Sequence, residues 1–134
     1  MELQEVIKEY GLQNRVFFPG VIFDIADYIA EVDVVAAPFT EPHFARPILE
    51  AGAMKTLVIA SDIDGTREMI LNGEAGYLAR PNDIKHWSEQ LSCALSVDNG
   101  DKITAMFNNT QRTYNADVNA QATIEQYRIV LEFR

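Results

Sequence analysis

The chain has 134 residues, 48% of them hydrophobic, which is enough for one globular domain with a real core. Eleven basic residues stand against twenty acidic ones, for a net charge of -9. Such a surface repels nucleic acid and anionic lipid, so any anionic ligand needs a local positive site working against the global field.

Cys93 is the single cysteine. It cannot form an intrachain disulfide, and the expected compartment is reducing and cytoplasmic. No apolar run reaches the length of a membrane span. The opening "MELQEVIKEYGLQ" mixes acids with apolar residues; it reads as a helix under way rather than a signal or transit peptide.

In chain order, Leu3, Val6, Ile7 and Tyr10 keep helical spacing and Gly11 stops the helix. "RVFFPG" reads as a short buried strand closed by Pro19 and Gly20. Asp24 is placed to cap a helix over Ile25 and Ile29. "VDVVAAP" (32–38) and "TLVIAS" (56–61) are the second and third strands. "TREMILNG" (66–73) is a short helix closed by Gly73, and "GYLA" (76–79) is a fourth strand. Pro81, Asn82 and Asp83 start a helix carrying Ile84, Trp87, Leu91 and Leu95, with Trp87 expected in the core. Two helices follow, near 101–113 and 117–132, the last with Ile124, Tyr127, Ile129 and Val130 on its apolar side. Short apolar strands alternating with helices predict an α/β class: a partial, Rossmann-like parallel sheet of about four strands in a single domain, 1–134. Ligands of such sheets bind at the carboxyl ends of the strands.

"EPHFARPILEAGA" (41–53) lies at one such end. Pro47 suits the first turn of a helix, where its missing N–H costs nothing. The amides of Phe44, Ala45 and Arg46 then fall at or just before the helix N-terminus, where the helix dipole favours a phosphate. Arg46 can add a bidentate charge. Glu50, about one turn in, can accept two ribose hydroxyls. The same residues are also consistent with ordinary capping, with Arg46 and His43 as surface residues.

"PHFARPILEAGAMKTLVIASDIDGTREMILNGEAGYLARPND" resembles the donor-binding C-terminal domain of family 4 glycosyltransferases, which have the GT-B fold. The matching positions are Phe44, Pro47, Glu50, Ala51, the run Val58 to Asp62, Gly65, Glu68, Gly73, Gly76 and Leu78. "GLQNRVFFPG", "VDVVAAPF" and "ATIEQYRIVLEF" resemble the flanking strands and the closing helix. The resemblance implies that Glu50 is the second acid of the family's acid pair and holds the nucleotide ribose. It implies that the backbone at His43, Phe44, Ala45 and Arg46 holds the diphosphate and meets the donor sugar, and that Gly20 and Val21 lie beside the base. The first acid of the pair corresponds to Pro42; Glu41, one place earlier, is the candidate catalytic acid. His43 and Ala45 stand where the phosphate loop usually has glycines. Lys55 and Leu57 replace a Gly and a Pro, and Asp64 replaces one Gly of a pair. A left-handed Lys55 costs about 1 kcal/mol.

The implied function is transfer of a sugar, with retention, from a UDP- or GDP-linked donor, without a metal or other cofactor. The alternative is a non-catalytic nucleotide-binding or interaction remnant of the same fold. The implied partners are the nucleotide sugar and an N-terminal acceptor domain, with self-association through exposed sheet edges. A full-length parent would be cytoplasmic or peripheral at the inner membrane. The family's donor domain also opens with two strands absent before "MELQEVIKEYGLQ". "RVFFP" and "VDVVAAP" are therefore expected either to pair directly across that gap or to receive another chain between them, and the chain alone is expected to be inactive. "DID" (62–64) resembles a metal-binding triplet, but its place before Thr66 fits helix capping better. The histidine and cysteine supply is too small for a zinc site.

Overall fold

A computed structural model describes residues 3–133. Its centre is a three-stranded, all-parallel sheet of order β1-β2-β3, formed by Val34–Ala37, Leu57–Ser61 and Tyr77–Ala79. The middle strand is buried along its whole length, as a continuous apolar run between two helical layers requires. Val34 to Ala37 of β1 pair in register with Leu57 to Ala60 of β2. Ile59, Ala60 and Ser61 pair with Tyr77, Leu78 and Ala79 of β3.

The alternation of side chains along the strands divides the core in two. On one face Ala37, Val58 and Ala60 meet Ala45, Ile48, Ala51, Met69, Ile70 and Met106. These come chiefly from the helices α3 (Arg46–Ala53), α4 (Thr66–Met69) and α6 (Gly100–Thr113). On the other face Leu57, Ile59, Tyr77 and Ala79 meet Ala94 and Trp87 of α5 (Ile84–Ser96). Gly52 lets α3 and α6 approach closely; a Cβ there would lie 2.4 Å from Thr110 Oγ1 and 2.9 Å from Met106 Cγ. Thr56 Oγ1 donates to the Ile29 carbonyl at 2.7 Å, tying the end of α2 (Ile25–Glu31) to the start of β2.

The helix stops are chemically ordinary. Gly11, at φ +66°, follows α1 (Leu3–Glu9), and Asp83 caps α5 by accepting from the His86 amide at 2.9 Å. That bond, with the nearby Arg80 charge, holds the Asp83 carboxyl below its ordinary pKa. Lys55 does adopt the left-handed conformation, at φ 59°. Its ammonium lies 4.8 Å from the centre of the Phe107 ring, a cation–π contact that offsets part of the strain.

Five expectations need correction. "RVFFPG" forms no strand: residues 16–20 are irregular, Phe17 and Phe18 are exposed, and the sheet has three strands rather than four. Strand geometry is held by pairing, and among the described residues this run takes no neighbour and the outer edge of β1 has none; the gap does not close by direct pairing. The helix over 66–73 splits at Ile70 into α4 and a 3-10 turn, Leu71–Gly73. Leu71, Asn72 and Gly73 there all have positive φ. On α5 the apolar residues do not share one buried face: Ile84 is 87% exposed and Leu95 61%, while Trp87 is half-buried. The last helix, α7 (Ala116–Glu132), has no buried residue, so its apolar side is uncovered among the described residues. Finally, neither aspartate of "DID" caps α4. Asp62 accepts from Arg67 Nε at 2.6 Å and Asp64 lies 3.8 Å from the same guanidinium.

Candidate nucleotide-sugar site

β1 ends at Ala37 because Pro38 has no N–H to continue the ladder. The chain then crosses the carboxyl end of the sheet as residues 38–45 and enters α3 at Arg46. The helix thus begins one residue earlier than Pro47 suggested, with Ala45 as a cap residue whose side chain offers no bond. The amides of Phe44, Ala45 and Arg46 donate to no acceptor among the described residues. Phe44 and Arg46 are exposed while Ala45 is fully buried, and free donors at a helix N-terminus suit an anion by geometry and dipole together.

The loop is held from several sides. The His43 ring stacks on Phe39 at 4.4 Å, and Phe39 packs against the core. Phe44 meets Tyr114, the residue ending α6, at 5.9 Å. Burial, with the Glu68 carboxylate, raises the Tyr114 pKa, so this ring stays neutral. From the third side comes Gly65, at φ +90°, where a Cβ would lie 2.7 Å from the His43 carbonyl oxygen. Thr66 Oγ1 donates to the Ser61 and Ile63 carbonyls and fixes that second turn.

The charged candidates are free. Glu41, His43, Arg46 and Glu50 are exposed, and none has an ion-pair partner among the described residues. Arg46 and Glu50 start and follow the first turn of the same helix. Glu50 also borders a cavity of about 220 Å³ between α2 and α3, with Ile25, Ala26, Ile29, Ala53 and Met54. The structure therefore brings Glu41, His43, Phe44, Ala45, Arg46 and Glu50 into one loop-and-helix unit. Gly20, at φ +74° and exposed, and Val21, 83% exposed, lie in the irregular segment before α2. Neither lines the cavity beside Glu50. A second opening at the strand ends, bounded by Ser61 and Trp87, was not singled out from the sequence; no local pattern marks it.

A sequence model described as "Glycosyl transferases group 1" matches residues 1–96. The chain belongs to this family. It is 32% identical over 98 residues to a D-inositol 3-phosphate glycosyltransferase of Corynebacterium urealyticum, covering 72% of this chain and 23% of the relative. Its fold overlays HepE of Anabaena, a structure in complex with UDP and glucose, with a TM-score of 0.82 and 27% identity. That overlay covers 94% of this chain and 35% of HepE. The C-terminal domain of the group 1 protein LpcC from Francisella tularensis overlays with a TM-score of 0.75 and 25% identity, covering 85% of this chain and 61% of that one. The group 1 chain thus corresponds to the C-terminal domain region of GT-B enzymes and spans about a third of the length of the solved HepE chain. Among the described residues no helix is long and apolar enough to cross a membrane.

Proposed function

We propose that the chain forms the donor side of a retaining glycosyltransferase acting on a nucleotide-diphosphate sugar. The observation that carries this reading is the set of unpartnered amides at Phe44, Ala45 and Arg46, opening α3 at the carboxyl end of β1. Oriented amides of this kind stabilise the charge that develops on a departing diphosphate without reorganising during the reaction. Arg46 adds a positive charge, Glu50 holds the ribose, and Glu41 reaches toward the donor sugar. Gly20 and Val21 border the base. The UDP complex of HepE supports a nucleotide diphosphate as the ligand class; the choice between UDP and GDP belongs to contacts with the base.

The acceptor side belongs to further polypeptide of the kind its relatives possess. The outer edge of β1, unpaired among the described residues, and the exposed Phe17, Phe18, Phe23 and Tyr28 support association with such polypeptide, because unpaired edges invite pairing. By itself, the 134-residue chain is expected to bind a nucleotide no more tightly than high micromolar and to transfer no sugar. The displaced first acid, with Pro42 at its usual position, favours a second reading, a non-catalytic nucleotide-binding remnant of the same fold. Turnover of a labelled nucleotide-sugar panel by the purified chain tests the proposal. Activity appearing only when the N-terminal region of a family member is fused to it supports the donor-side role, and binding without turnover in that fusion supports the remnant.

Arg46 gives a separate prediction. Arg46→Ala should lower affinity for UDP while leaving uridine nearly unchanged, and the loss should shrink as salt is added. Calorimetric titration at low and high ionic strength reads both effects. An equal, salt-independent loss for nucleoside and diphosphate would instead mean that Arg46 acts by packing.

A further inference from the structure

One residue grips the turn between β3 and α5 at both ends. His86, in the first turn of α5, accepts the Arg80 backbone N–H on its ring Nδ1 at 2.9 Å. Its own amide donates to Asp83 Oδ1, also at 2.9 Å. Two further contacts lie across the same four residues. The Arg80 guanidinium meets the other Asp83 oxygen at 3.1 Å, and the Asp83 amide donates to the Arg80 carbonyl at 3.3 Å. Asn82, at φ 59°, supplies the left-handed residue that a tight turn needs.

The ring bond fixes a protonation state. A backbone N–H donates, so Nδ1 must carry a lone pair, and the one ring proton of the neutral imidazole sits on Nε2. A second proton lands on Nδ1 and turns the acceptor into a donor facing another donor. An unperturbed imidazole gains that proton near pH 6.5, alone among side chains between about pH 5 and 8.

The surrounding charges favour release. Arg80 brings a cation to the same turn and opposes a positive ring. Asp83 draws the ring the other way, but it cannot restore the bond, because an Nδ1–H has no lone pair for the Arg80 amide. The His86 amide bond holds the Asp83 carboxyl below its ordinary pKa, so Asp83 stays ionised while an imidazole titrates. Farther along α5, Lys85 and Glu89 lie 3.8 Å apart and offset one another. Of the strands under α5, β2 carries no titratable residue. β3 carries Tyr77, kept neutral by burial, with its hydroxyl bonded to Asn99 at 2.8 Å. Asp62, just past β2, is bonded to Arg67.

We propose that the 80–83 turn is an acid-sensitive latch, closed by neutral His86 and released when the imidazole is protonated. The bond supports the folded turn above the imidazole range and is lost as pH falls through that range. Release is local. The β3 ladder ends at Ala79 and Asp83 still caps α5, so sheet and helix persist while residues 80–82 loosen. What loosens is a rim at the carboxyl end of the sheet, where Asn82 and Asp83 stand beside Trp87. The latch does not depend on the nucleotide reading, since it uses no residue of the 43–46 loop or of α3.

The chain has two histidines, His43 and His86, and one tryptophan, Trp87, so each signal is assignable. In the nitrogen-15-labelled chain at about pH 8, the His86 ring should show a bare Nδ1 and a protonated Nε2. On titration to about pH 5, the Arg80 amide proton should move upfield and Trp87 emission should change. Both should share the midpoint of the His86 ring, with far-UV circular dichroism constant. His86→Gln should abolish both steps, and His43→Gln should leave them in place. A proton on Nδ1 at the alkaline end overturns the latch, as does an Arg80 amide that ignores the His86 ring. Steps that survive His86→Gln, or vanish in His43→Gln, overturn it too. Unfolding of the whole chain at the His86 midpoint also counts against it, because the release is confined to the turn.

Discussion

Gly65→Ala is expected to destabilise the chain by about 3 kcal/mol and to lower nucleotide affinity with it. Two costs combine at this residue. Its backbone sits at φ +90°, where a side chain is strained, and the new Cβ would lie 2.7 Å from the His43 carbonyl oxygen. That oxygen is backbone, so the contact is not relieved by turning a side chain. Either the 43–46 loop moves or the turn before α4 opens, and both displace the free amides at the entrance to α3. Gly73→Ala supplies the control. It shares a positive φ, +98°, but its Cβ would find only the Leu78 side chain, at 3.8 Å. The strain alone should then cost about 1 kcal/mol. Urea unfolding of both variants measures the difference. Equal midpoints would mean that the approach of the two loops has no energetic weight.

Glu50→Gln is expected to weaken nucleotide binding about tenfold or more, while stability changes by less than about 0.5 kcal/mol. The two halves of this prediction come from the same observation: the carboxylate is exposed and has no ion-pair partner among the described residues. The fold therefore loses little when its charge is removed. A ribose diol, by contrast, loses bonds to a charged acceptor worth roughly 1.5–3 kcal/mol. Calorimetric titration of UDP and GDP against both forms reads the affinity, and thermal unfolding reads the stability. Unchanged affinity would remove Glu50 from the site.

Much of the frame was legible because particular residues allow few alternatives. The run from Leu57 to Ala60 is apolar without a break, and with Ser61 it became the buried central strand. Asp83 after Pro81 marked the start of α5, and Lys55, standing where a glycine is usual, took the left-handed backbone expected of that position. The entrance to α3 was legible to within one residue, since Pro47 fixes the first turn whether Arg46 or Pro47 opens it.

What could not be read depends on neighbours distant in the chain. Phe17 and Phe18 look like a strand, yet a strand exists only through its pairing partner, and no partner is encoded in "RVFFPG" itself. Helical spacing gave α5 and α7 an apolar side, but spacing does not say whether anything covers it. Ile84 and the Ile124, Tyr127 and Val130 side remain open. Trp87 was expected to be core; it does pack against the cluster of Leu57, Ile59, Tyr77, Ala79 and Ala94, but it also lines a cavity. The Ser61 hydroxyl, buried without a hydrogen-bond partner among the described residues, carries no sequence signal, because a missing partner is visible only in three dimensions.

The central claim is that the free amides entering α3 receive a diphosphate, and backbone amide chemical shifts test it residue by residue. On titrating the isotopically labelled chain with UDP, the account predicts saturable shifts largest at Phe44, Ala45 and Arg46. Glu50 should respond as well, and uridine should have far weaker effects. A folded chain whose amides at 44–46 do not respond to millimolar UDP, or respond to uridine just as strongly, would contradict it.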